Sequence, residues 1–121
     1  MGVVYYANYL ILFERGRTEL MREAKVRYRD LEEEGLFLPA MEANLRYLSP
    51  AHYDDLLKIK TRICDLGRAS MTFAYEVVNA DTGKTLVRGT TKHPFVNKSW
   101  KPVAVPPRLR ELLVPLVRPS V

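Results

Sequence analysis

The stretch from Tyr9 to Glu34 constrains the fold more than any other, because its apolar residues recur at helical spacing and no proline interrupts them. Tyr9, Leu10, Phe13, Leu20, Met21, Ala24, Tyr28 and Leu31 fall on one face. Glu14, Arg15, Glu19, Arg22, Glu23, Lys25, Arg29, Asp30 and Glu33 fall on the other. The pattern predicts one unbroken amphipathic helix. Asn8 is placed to cap its first turn through a side-chain acceptor, and Gly35 is placed to end it in a left-handed conformation. At 1.5 Å per residue that helix is about 39 Å long, enough to be the spine of a small domain.

After Gly35 the apolar period shortens to two. Leu36 to Leu48 reads as a strand made irregular by Pro39 and closed by the turn Ser49-Pro50-Ala51. Asp55 to Leu66 alternates Leu57, Ile59, Thr61 and Ile63 with Lys58, Lys60, Arg62 and Cys64, as a strand buried on one face requires. Gly67-Arg68 turns the chain into Ala69 to Asn79, where Met71, Phe73, Tyr75 and Val77 share a side. Asn79-Ala80-Asp81-Thr82-Gly83 is a second turn, and Lys84 to Val96 is a further strand whose end Pro94 places at an edge or a bulge. Pro106-Pro107 opens a short helix, Arg108 to Leu116, with a leucine stripe. The order predicts an α+β domain in which one antiparallel sheet covers a helix.

With 121 residues and neither linker nor repeat, residues 1–121 read as a single domain. No apolar run reaches membrane-span length and the N-terminus lacks a signal peptide's pattern, so the expected location is cytoplasmic. One cysteine, Cys64, and two separated histidines offer no metal-ligand spacing, and no glycine-rich phosphate loop or serine elbow is present. The net charge of +5 calls for an anionic partner. Its scatter along the chain speaks against nucleic acid.

Gly2-Val3-Val4-Tyr5-Tyr6-Ala7-Asn8-Tyr9, followed by Phe13-Glu14-Arg15, resembles the hotdog-fold acyl-CoA thioesterases of the 4-hydroxybenzoyl-CoA thioesterase family, in particular its YbgC-like branch. The resemblance continues through Ser49-Pro50-Ala51, Asp54-Asp55, Gly67-Arg68-Ala69-Ser70 and Lys98 to Pro107. It implies a sheet wrapped around the long helix, homodimers often paired into homotetramers, and active sites shared between subunits. It also implies an N-terminal strand and an aspartate three residues before the motif's glycine, both of which would lie ahead of Gly2. Many YbgC-like members carry histidine where Tyr6 stands.

The reaction so implied hydrolyses an acyl-CoA thioester with no cofactor beyond the coenzyme A that the substrate carries. The free amides at a helix start can polarise the carbonyl, and by resemblance the donor is the backbone N–H of Tyr6. Glu14 is the helix carboxylate available for catalysis, with pairing to Arg15 or Arg17 as the competing reading. Asn8, Gly67, Arg68, Ser70, Arg88 and Lys92 are expected on the substrate side, Gly67 and Ser70 lining the acyl or pantetheine channel and the basic residues facing the nucleotide together with Lys98 and Lys101. His52 and His93 read as a surface and a strand-end residue, Asp54 and Asp55 as caps or ion-pair partners, and Trp100 as packing. The alternative function is an acyl-thioester binding or scaffold protein that keeps the fold without the aspartate.

Overall fold

The computed structural model describes residues 6–52 and 54–119, with the backbone alone at Tyr6 and Ala7. The leading motif residues Gly2 to Tyr5 lie outside the described residues. Four strands, β1 (Glu42–Tyr47), β2 (Leu57–Leu66), β3 (Ser70–Asn79) and β4 (Thr85–Pro94), form one antiparallel sheet in the order β1-β4-β3-β2. Helix α1 (Tyr6–Glu23) lies across one face of this sheet. A short α2 (Tyr28–Glu33) follows it, and α3 (Pro107–Leu113) runs into a 3-10 turn, Val114–Leu116.

The single helix expected from Tyr9 to Glu34 is two helices, and the reason is local. Lys25 takes φ 62°, its N–H donates to the Arg22 carbonyl at 2.8 Å, and the Val26 N–H reaches back to Met21 at 2.9 Å. These two bonds are the Schellman closure of a helix. Lysine occupies a position that usually takes glycine, and the compensation is burial of Val26 against the fully buried Met21. The same closure recurs at the end of α2, where Gly35 has φ 82° and Leu36 N–H donates to Leu31 at 2.9 Å. Gly35 is thus the helix-ending residue expected, but of α2. α1 itself begins at Tyr6, so Asn8 stands inside its first turn rather than at the cap, and its 18 residues span about 27 Å.

β4 as a whole is not an edge strand. It is paired with β3 from Thr85 to Pro94 and with β1 from Val87 to Lys92, and Pro94, beyond the β1 pairing, is its last residue. The edges are β1 and β2. The strand expected from Leu36 is the shorter β1, with Phe37 making only an isolated bridge to Val96. Along β2 the C-terminal tail supplies partial cover, since Arg118 N–H donates to the Ile63 carbonyl at 2.7 Å and Arg62 Nε donates to the Arg118 carbonyl at 2.9 Å. β1 is exposed along most of its length.

The core lies between α1 and the sheet. Tyr9, Phe13 and Met21 from α1 meet Ile63, Met71, Phe73, Tyr75, Val77 and Val87, each less than 4% exposed. Phe13 stacks on Tyr75 with centroids 4.1 Å apart and planes 3° apart. Leu10, expected on this face, is instead 38% exposed, and Trp100, expected to pack, is 65% exposed. Among the described residues no helix is long and apolar enough to cross a membrane.

Candidate functional site

The amino end of α1 is fixed by Tyr9, which is buried with its ring edge-on to Tyr47 at 5.8 Å. This sets the first turn of the helix beside the end of β1 and the segment that follows it. There Leu48 and Ser49 N–H groups donate to the Leu86 carbonyl at 2.8 and 3.2 Å. A turn closes over His52–Asp55, with Asp55 N–H on the His52 carbonyl at 3.0 Å and the Asp55 carboxylate accepting the His52 N–H at 2.8 Å. Asp55 therefore caps its turn, one of the roles read for it from sequence. Its Oδ2 also lies 3.7 Å from His52 Nδ1. Burial raises the Tyr9 hydroxyl pKa, and the nearby Tyr47 and Asp55 push it further the same way.

No acidic residue stands in the first turn of α1. Its unsatisfied amides and the positive end of the helix dipole are therefore not neutralised from within the helix, and they favour a developing negative charge. Tyr6 and Asn8 sit in that turn, with the Asn8 side chain exposed. Glu14 is eight residues further along, about 12 Å up the axis. It is exposed, in a shallow depression with Ile11, Arg15, Thr18 and Glu19.

Gly67, Arg68 and Ser70 form a second locus. Gly67 N–H donates to the Ser70 carbonyl and Val105 N–H to the Arg68 carbonyl, both at 2.8 Å. The Arg110 guanidinium donates to the Gly67 carbonyl at 2.5 Å. This turn lies at the Pro94 end of the sheet, whereas Tyr47 pairs with Val87. Seven residues of β4 separate the two ends, roughly 24 Å at strand rise. Arg88 and Lys92 belong to neither locus. A Cβ on Gly89 would strike the Phe13 ring, so Gly89 faces α1 and the alternating positions 88, 90 and 92 face away from it.

Under α1 runs a buried polar chain that joins helix to sheet. His93 Nδ1 lies 3.0 Å from the Leu38 carbonyl. A carbonyl only accepts, so Nδ1 carries the proton and Nε2 is the acceptor for the Thr91 hydroxyl at 2.8 Å. Thr91 then accepts from Tyr75 at 2.6 Å, and Tyr75 accepts from Arg17 at 3.5 Å. Every proton in the chain has a place only while His93 is neutral. Burial lowers the His93 pKa; the Leu38 carbonyl opposes this and the Arg17 charge adds to it. Folding thus holds back a proton that the unfolded imidazole takes up below about pH 6.5. The expected result is unfolding free energy that is flat above that pH and falls below it, by at most about 1.4 kcal/mol per pH unit for this one proton. Urea unfolding between pH 7.5 and 5.5 checks it: His93→Gln should flatten the slope, and an equal slope in that variant would contradict the assignment.

The model of the thioesterase-like superfamily matches residues 1–113. The chain belongs to this superfamily. YneP of Bacillus subtilis (strain 168) is 35% identical over 104 residues, covering 85% of this chain and 75% of that protein. The acyl-CoA thioesterase YbgC of Haemophilus influenzae is 32% identical over 111 residues, covering 90% of this chain and 80% of that one. Among solved structures, the DHNA-CoA thioesterase of Staphylococcus aureus superposes with a TM-score of 0.87 at 26% identity, covering 95% of this chain and 79% of that chain. The sheet laid over α1 is the hotdog arrangement.

In this thioesterase-like chain, sequence reasoning passed over Arg110, which anchors the Gly67 turn from 43 residues away. Nothing local distinguishes it from its neighbour Arg108. It also passed over Gly89, although a glycine inside a strand pattern signals close approach by something else. The three buried members of the polar chain, Tyr75, Thr91 and His93, had one usable signal: all sit on the helix-facing side of adjacent strands, where a polar side chain must find a partner.

Proposed function

We propose that this chain hydrolyses acyl-CoA thioesters to a carboxylic acid and free coenzyme A, with the carbonyl oxygen held by the backbone N–H of Tyr6. The observation that carries the reading is that the first turn of α1 contains no acidic residue, in a chain of this superfamily. Water adds to the carbonyl carbon, the carbonyl electrons collapse onto an oxygen held by the amide, and re-formation of the carbonyl expels the coenzyme A thiolate, which takes a proton. Tyr6 donates a hydrogen bond throughout and is not itself consumed. By resemblance the family's water-activating or attacking group is an aspartate three residues ahead of the motif glycine, a position outside residues 1–121. The titratable pair beside the first turn is His52 with Asp55. Glu14, exposed and some 12 Å along the helix, is a poor candidate for that role in its own chain.

The working unit of this proposal is a homodimer. The amide end and the Gly67–Ser70 turn lie too far apart in one chain for the reacting end of a substrate to touch both, so two chains complete each site. The exposed β1 edge, flanked by the exposed Met41, Tyr47 and Leu48, is the surface that a second chain would cover, as an open strand edge favours. Arg68 and Ser70 then belong to the substrate side, with Arg110 positioning their turn. Coenzyme A is the only cofactor-like group required, and the cytoplasm is where such a substrate is met. Thiol release from a panel of short, long and aromatic acyl-CoA esters tests the reading. Turnover of at least one ester is expected, and no turnover of any would leave a thioester-binding protein instead.

A further inference from the structure

The face of the sheet away from α1 carries a groove of about 500 Å³ that the proposed reaction does not use. Among the described residues α1 packs on the other face, and the 3-10 turn Val114–Leu116 lies against β2. Strand register builds the groove in two rows. In the first, Arg46 of β1 stands directly opposite Arg88 of β4, which is opposite Glu76 of β3. In the second, Asn44 is opposite Thr90, Thr90 opposite Ala74, and Ala74 opposite Arg62 of β2.

Two arginines directly opposed across strands repel, with Cβ atoms about 5 Å apart. The acidic neighbour does little to relieve this. One Glu76 oxygen already accepts from the Thr85 hydroxyl at 2.9 Å, and the other is 3.9 Å from Arg88. Ala74, almost fully buried, leaves a low floor between the long side chains. Around that floor stand guanidiniums from three strands, one amide and one hydroxyl. Such a set offers hydrogen-bond donors from several directions, which suits a tetrahedral oxyanion better than a planar carboxylate, for which one guanidinium fork suffices. A phosphoryl group between Arg46 and Arg88 leaves the terminal guanidinium nitrogens of Arg62, across Ala74, for a second, its Nε being held by the Arg118 carbonyl.

We propose that this groove is a separate binding site for a small molecule carrying two linked phosphoryl groups, held by Arg46, Arg88 and Arg62 with Thr90 and Asn44. The site is independent of thioester hydrolysis, since the sheet separates it from the amino end of α1. Inorganic pyrophosphate is the probe, followed by titration calorimetry with the full chain at low salt. The expected result is binding that weakens as salt is raised, is tighter than that of inorganic phosphate, and is lost roughly tenfold in each of Arg46→Gln and Arg88→Gln. Lys84→Gln, which removes the same charge from the distant β3–β4 turn, should bind as the unaltered chain does. Absence of pyrophosphate binding overturns the proposal, as does equal binding by the two arginine variants or an equal loss in Lys84→Gln. Two outcomes without pyrophosphate binding would name another occupant: capture of a polyglutamate peptide would assign the groove to an acidic protein. A self-association abolished by Arg46→Gln would assign it to a second copy.

Discussion

Gly89→Ala is expected to lower the unfolding free energy by roughly 2 to 3 kcal/mol, the cost of overpacking a site that cannot relax. A Cβ built on Gly89 lies 2.6 Å from Phe13 Cε2 and 2.6 Å from the Asn44 carbonyl oxygen. One of those neighbours is backbone of the paired strand, and the other is a ring already stacked on Tyr75. Neither can withdraw freely. Alanine ordinarily gains about 0.5 to 1 kcal/mol over glycine inside a strand, so even the sign of the effect is diagnostic. Urea unfolding at neutral pH measures it. Phe13→Leu, which shortens the intruding ring, should make the two substitutions cost less together than their sum. A neutral or stabilising Gly89→Ala would mean that α1 does not rest on the sheet through this ring.

That contact also marks the limit of what the residues reveal in order. Period-two alternation from Met71 to Val77 places β3 almost to the residue, because burial on one face leaves no other register for those side chains. The turn at Asn79–Gly83 and the helix end at Gly35 are equally legible, since each rests on a conformation only a few residues tolerate. The break after Glu23 is not: Lys25 adopts the left-handed region without being glycine, and what holds it there is the burial of Val26, a tertiary fact. A helical pattern that continues in phase across such a break hides it.

The functional residues divide the same way. Tyr6 enters through a motif, and its helix-end amide follows from elementary peptide geometry. Gly67, Arg68 and Ser70 are adjacent in sequence and remain together in space. Arg46 and Arg88 are 42 positions apart, and only the pairing of β1 with β4 sets them face to face. Pairing between strands so distant in the chain depends on the whole sheet, so no local pattern announces the groove they form. Pro94 marks only where β4 ends, and the pairing with β1 on one side and β3 on the other is what makes the rest of that strand internal.

In the proposed reaction a backbone amide at the start of α1 stabilises the oxyanion, and Tyr6→Pro removes that hydrogen while keeping the chain helical there, because proline suits the first turn of a helix. Its companion, Tyr6→Phe, keeps the amide and removes only the hydroxyl. In a thiol-release assay on the best acyl-CoA ester, Tyr6→Pro should lower kcat by roughly 100- to 1000-fold with KM little changed, the usual effect of losing one oxyanion donor. Tyr6→Phe should stay within a few-fold of the unaltered chain. A Tyr6→Pro protein that folds normally and keeps full turnover, or a Tyr6→Phe protein that loses as much, would contradict the account.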